Sequence, residues 1–93
     1  MTEALTNTQR RQLKAAAHHL KPVVTVGDAG LSEAFYAEAE VAINHHELIK
    51  IKLPATDRDA REALVNELCA RLGAALVQRI GRTATLYRKS PED

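Results

Sequence analysis

The chain has 93 residues, 45% of them hydrophobic, and 13 Lys and Arg against 12 Asp and Glu, a net charge of +1. That is enough apolar content for one small folded domain near the lower end of comfortable core size, and too much for a disordered chain. No apolar run approaches the roughly 20 residues of a membrane helix. The start, Met1-Thr2-Glu3-Ala4, lacks the basic and apolar regions of a secretion signal. The lone Cys69 excludes an internal disulfide and fits a reducing cytoplasm.

In chain order, Thr6-Asn7-Thr8-Gln9 is a capping-box pattern that opens a helix over about 7–19. Leu13, Ala16, Ala17 and Leu20 recur at helical spacing, with Arg10, Lys14 and His18 on another face. Lys21-Pro22 ends this helix, because the residue before proline is pushed out of the α region. Residues 23–26 read as a short buried strand. It runs into Gly27-Asp28-Ala29-Gly30, and Ser32 then caps a second helix of about 32–45 with Phe35, Ala39, Ala42 and Ile43 inward. Glu47 to Leu53 alternates, with Ile49, Ile51 and Leu53 on one side and Leu48, Lys50 and Lys52 on the other, as in a half-buried strand. Thr56 or Asp57 caps a third helix of about 57–72, striped by Leu64, Val65, Leu68 and Leu72 and closed by Gly73. Ala75–Ile80 and Ala84–Lys89 are strands joined through Gly81-Arg82-Thr83.

The order α-β-α-β-α-β-β predicts a single α/β domain over residues 5–89, with flexible ends at 1–4 and 90–93. Its sheet is mixed and four-stranded, with helices mainly on one face.

Several chemistries fall away. The histidines come as adjacent pairs, His18-His19 and His45-His46. Helix neighbours diverge by about 100° and do not share a ligand face, so no metal is expected. Cys69 adjoins an apolar stripe and reads as an inert thiol. Asp57 and Asp59 sit where acids stabilise a helix start. No nucleophile elbow, Walker A motif or dinucleotide fingerprint is present, so neither catalysis nor a cofactor is expected.

Charge distribution carries more. From Ala4 to Gly27 the charges are Arg10, Arg11, Lys14 and Lys21, with no acid. From Asp28 to Glu47 they are Asp28, Glu33, Glu38, Glu40 and Glu47, with no Lys or Arg. From Leu68 to Lys89 they are Arg71, Arg79, Arg82, Arg88 and Lys89. Such blocks can fold into one basic and one acidic side at near-zero net charge. Glycines at both ends of Gly27–Gly30 let the backbone turn and admit a close ligand, and the helix start that follows favours an anion such as phosphate. The candidate nucleic-acid surface is therefore Arg10, Arg11, Lys14, Lys21, the loop Gly27, Asp28, Ala29 and Gly30, then Lys50, Lys52 and the hairpin region with Arg79, Arg82, Arg88 and Lys89. With Phe35, Tyr36 and Tyr87 as the only aromatics of the Phe, Tyr and Trp type, stacking of bases on the sheet is not expected. Backbone and shape recognition of structured RNA is.

Leu13-Lys14, Lys21-Pro22-Val23-Val24, Gly27-Asp28-Ala29-Gly30-Leu31, His46-Glu47-Leu48-Ile49-Lys50-Ile51-Lys52, and Gln78-Arg79-Ile80-Gly81-Arg82-Thr83 followed by Leu86-Tyr87-Arg88 occur in that order. This resembles the CRM domain (chloroplast RNA splicing and ribosome maturation) in its stand-alone bacterial YhbY-like form, over about residues 5–89. The resemblance implies a fold similar to the C-terminal domain of translation initiation factor three, with RNA binding and no catalysis. It also implies an association with precursors of the large ribosomal subunit. The family's Gly-x-x-Gly loop maps onto Gly27, Asp28, Ala29 and Gly30, and its basic hairpin onto Arg82 and Arg88. The expected partner is structured RNA, in particular large-subunit ribosomal RNA, with no membrane and no small-molecule substrate. A second reading is a protein-interaction module whose acidic second helix (Glu33, Glu38, Glu40) docks a basic ribosomal protein.

Overall fold

The computed structural model describes residues 5–27 and 30–89. Asp28, Ala29 and the expected flexible ends at 1–4 and 90–93 lie outside the described residues. The elements are α1 (Asn7–Ala17), β1 (Pro22–Thr25), α2 (Glu33–His46), β2 (Leu48–Lys52), α3 (Arg58–Leu72), β3 (Ala75–Ile80) and β4 (Thr83–Tyr87).

Each helix starts where a side chain satisfies its free N–H groups. Thr6 accepts from the N–H of Gln9 at 3.0 Å while the Gln9 side chain accepts from the N–H of Thr6 at 2.9 Å, closing the capping box. Ser32 caps α2 through the N–H of Phe35, and Asp57 caps α3 through the N–H of Ala60. At the other end of α3, Gly73 takes the left-handed conformation (φ 63°) that ends a helix without a Cβ clash.

The sheet order is β1-β2-β4-β3. β1 and β2 are parallel, and β4 runs antiparallel to both of its neighbours. Strands β1, β2 and β3 therefore share one direction, with β4 inserted between β2 and β3. Alternation assigns the faces. Val24, Ile49, Ile51, Ala84 and Leu86 point to one side, where they meet Phe35, Tyr36, Ala39 and Ile43 of α2 and Val65, Leu68 and Leu72 of α3 in one buried cluster. The other side carries Leu48, Lys50 and Lys52, with Lys50 opposite Thr85 and Lys52 opposite Thr83. α1 packs on this second side across β2 and β3, where Ala17 and Val77 are buried outside the main cluster. Two helices thus lie on one face and one on the other, and α1 leaves part of the second face open.

Candidate nucleic-acid interface

The first turns of α1 separate two kinds of cation. Arg10, Leu13 and Ala17 recur at i, i+3, i+7 and face the sheet. Arg10 is half-buried, and its Nη1 donates to the backbone carbonyls of Leu76 and Val77, the latter at 3.1 Å. These bonds fall at the bulge between Leu76 and Gln78, where the β3–β4 register shifts. Arg10 therefore ties α1 to β3. Arg11 and Lys14 are exposed on the outer side of α1, and neither forms an ion pair among the described residues.

On the second face of the sheet, Lys50 and Lys52 stand among half-buried Thr83 and Gln78 and buried Thr85, which the register places on the same face. Neither lysine has an acidic partner among the described residues. None of the residues of α1 or of the four strands is Asp or Glu. The acids of α2 and α3 belong to the opposite layer.

The Gly27–Gly30 loop leaves the sheet at the same end as Lys52 and Arg82. The N–H of Val26 donates to the Lys52 carbonyl at 2.9 Å, and the N–H of Leu53 donates to the Arg82 carbonyl at 2.6 Å. Arg82 Nε donates back to the Leu53 carbonyl at 3.3 Å. The N–H of Gly30 donates to the Gly27 carbonyl, and Gly30 sits at φ +74°. A Cβ at either glycine would project into open space. The loop then enters α2 through the Ser32 cap, so the positive end of that helix dipole lies next to it. Lys21 lies at the other end of β1 and shares a groove with Lys50.

Arg88 sits elsewhere. Its two terminal guanidinium nitrogens each donate to Glu40 at 2.9 Å, and it also donates to the Leu72 carbonyl and to Asn44. Those partners belong to the α2–α3 layer. The Arg88 guanidinium holds the Glu40 carboxyl below its ordinary pKa, chiefly through the hydrogen bonds and further through charge attraction. Glu33 is held in the same layer by Arg71 at 3.0 Å, and Arg71 also lies over the Tyr36 ring at 4.4 Å. Two of the three acids singled out on α2 thus face arginines of their own chain.

Burial pushes the Cys69 thiol pKa up, which disfavours the thiolate a nucleophile needs. Each histidine stacks edge-on against its sequence neighbour, with ring centroids 5.3 Å apart for His18–His19 and 4.6 Å for His45–His46. Among the described residues, no group of three or more His, Cys, Asp or Glu comes together in a way that could hold a metal. No helix there is long and apolar enough to cross a membrane.

The structure therefore gathers Arg11, Lys14, Lys21, Lys50, Lys52, Arg82 and the loop glycines on or around the open side of the sheet. It gives Arg10 and Arg88 partners inside the fold, and Arg82 donates through Nε to the Leu53 carbonyl. Reading the sequence alone missed Thr83 and Gln78, which form half-buried polar ground near the lysines, and Thr85, which is buried between them. Their face could be found only by pairing the hairpin onto β2 in register.

The CRS1 / YhbY (CRM) domain model matches residues 5–88. The chain belongs to the CRM domain family. A Pseudomonas aeruginosa relative named "Probable RNA-binding protein" is 53% identical over 89 residues, covering 96% of this chain and 86% of the relative. A Haemophilus influenzae protein named as an RNA-binding protein is 47% identical over 88 residues, covering 95% and 89%. The solution structure of the hypothetical protein SAV1595 from Staphylococcus aureus superimposes with a TM-score of 0.83 at 30% identity, covering 97% of this chain and 94% of that one. This CRM domain thus has the α/β architecture expected from its sequence.

Proposed function

We propose that this CRM domain binds structured RNA through the α1 side of its sheet, as a non-catalytic assembly factor on large-subunit ribosomal RNA in the cytoplasm. The observation that carries the reading is a separation of charge. Arg11, Lys14, Lys50 and Lys52 lie on a side whose helix and strands contain no acid, while the acids of α2 and α3 occupy the other layer. Unpaired cations on one side are what phosphate neutralisation requires. The names of the relatives support RNA as the ligand. The resemblance to stand-alone bacterial CRM proteins supports the ribosomal target. Arg11 and Lys14 contact phosphates from α1, Lys21, Lys50, Lys52 and Arg82 extend the contact over the sheet, and Gly27 and Gly30 admit the backbone near the start of α2.

The test is binding to large-subunit ribosomal RNA over a salt series, comparing the native chain with an Arg11→Glu/Lys14→Glu variant. Each phosphate contact adds about 0.7–0.9 to the slope of log K against log salt. The variant should lower that slope by about 2. No binding by the folded native chain at low salt refutes RNA binding. Equal affinity for small-subunit RNA refutes the large-subunit assignment alone.

A further inference from the structure

A groove of about 430 Å³ opens where the end of α1, the start of β1 and the end of α2 meet. His19, in the turn after α1, and His46, the last residue of α2, line it with Leu20 and Val23, and Lys21 and Lys50 flank it. Its volume lies in the range of about 300–1,000 Å³ that holds small organic groups. Leu20 and Val23 are 39% and 49% exposed, a large apolar area to leave in water. None of the residues lining the groove is acidic.

A second depression runs on across the open sheet face along Gln78, Ile80, Thr83 and Thr85, and shares Pro22 and Lys50 with the first. The two form one track from the histidines toward the end of the sheet that carries Lys52 and Arg82. An occupant of this track needs a flat apolar part for the groove and negative charge for the lysines around it.

The geometry points to an unpaired nucleotide of the bound RNA, its base seated in the groove against His19 and His46 and its phosphates held by Lys21 and Lys50. Imidazole rings serve as stacking platforms, as do Phe, Tyr and Trp, and only a base splayed out of a helix exposes a face to stack. The inference rests on the RNA-binding reading and sharpens it: the preferred target is an RNA helix interrupted by a bulge or loop. It also supplies the stacking surface that the scarcity of Phe, Tyr and Trp argued against.

The test uses the full chain and two RNA hairpins that differ only in a single bulged uridine, with binding followed by fluorescence anisotropy. The native chain should prefer the bulged hairpin. A His19→Ala/His46→Ala variant should lose about 5- to 150-fold for the bulged hairpin, the scale of one stacked base, and little for the uninterrupted one. His46→Tyr should keep the preference, because it keeps a ring. Both histidines are exposed, so the variants are expected to fold, with circular dichroism as the check. In the native chain, the His19 and His46 ring resonances should shift on adding the bulged hairpin and not the uninterrupted one. Equal affinity for both hairpins overturns the base pocket while leaving RNA binding intact. Failure to bind either overturns the RNA-binding reading itself. Equal losses on both hairpins in the alanine variant also overturn the base pocket, since the histidines would then serve the RNA backbone or a protein-binding surface.

Discussion

Arg88, just beyond β4, holds Glu40 of α2 with both terminal guanidinium nitrogens at 2.9 Å while the same group reaches the Leu72 carbonyl at the end of α3. One side chain thus joins the last strand to both helices of the main layer. It also explains why two segments with opposite charge blocks, Asp28–Glu47 and Leu68–Lys89, need not form two competing surfaces: part of each is consumed against the other.

Removing Arg88 should therefore cost stability rather than RNA affinity. Arg88→Ala removes the hydrogen bonds that Arg88 donates to Glu40, Asn44 and the Leu72 carbonyl, and hydrogen bonds to charged groups contribute about 1.5–3 kcal/mol each before solvent screening. Because Glu40 is partly exposed, a total of about 1–3 kcal/mol is expected. Denaturant unfolding measures it, and an unchanged salt slope for RNA shows that Arg88 is not a phosphate contact.

The same pair sets a pH dependence. Glu40 has its folded pKa lowered by Arg88, so its contribution is fully present above the ordinary glutamate value of 4.5 and is lost as pH falls through the lower folded value. Native stability should decline on acidification below about pH 4.5 more steeply than that of Glu40→Gln. Parallel stability–pH curves for the two proteins below that pH would refute the coupling.

Arg10 and Arg11 are neighbours in sequence with opposite expected behaviour. Arg10→Ala removes the donors to Leu76 and Val77 at the β3 bulge and should destabilise by about 1–3 kcal/mol. Arg11→Ala should leave stability within about 0.5 kcal/mol and reduce the RNA salt slope by about 1. Thermal unfolding and the salt series together separate the two.

Most of the fold was legible because local and global signals agreed. The Thr6 capping box, the Ser32 and Asp57 caps, the Gly73 stop and the alternation Ile49-Lys50-Ile51-Lys52 each determined an element directly. The end of α2 was less clear: the helix stops at Glu47 with φ 64°, where no glycine or proline marks the place. Arg10 was legible as a cation but not as a sheet ligand, because its partners are backbone carbonyls 66 and 67 residues away. Arg88 was legible as a cation but not as a partner of Glu40 and Asn44, since only tertiary packing brings those side chains to it. Tyr36 was likewise not anticipated in the core, where it joins Val65, Leu68 and Leu72 of α3 and has Arg71 over its ring.

The two loop glycines make separable predictions. Gly30 occupies φ +74°, so Gly30→Ala should destabilise by about 1–2 kcal/mol, lowering Tm by about 4–8 °C per kcal/mol. Gly27 has open space where a Cβ would stand and no positive φ, so Gly27→Ala should leave Tm nearly unchanged. If RNA backbone approaches the loop, that same Gly27→Ala methyl obstructs it and weakens binding in a protein that is otherwise intact. Calorimetry and anisotropy on the two variants read the two effects independently.

Asp28 places a carboxylate in the sequence of a loop flanked by Lys52, Arg82 and the start of α2. With phosphate at that end of the sheet, Asp28→Lys replaces a repelling charge in the loop sequence by an attracting one. RNA affinity should rise at low salt and the salt slope should steepen by about 1, the increment of one added phosphate contact. The gain should vanish in an Asp28→Lys/Gly27→Ala double variant if close approach at the loop is what the lysine exploits. Unchanged or weaker binding by Asp28→Lys, with an unaltered slope, means that phosphate does not reach the loop and that α1, Lys50 and Lys52 carry the contact without it.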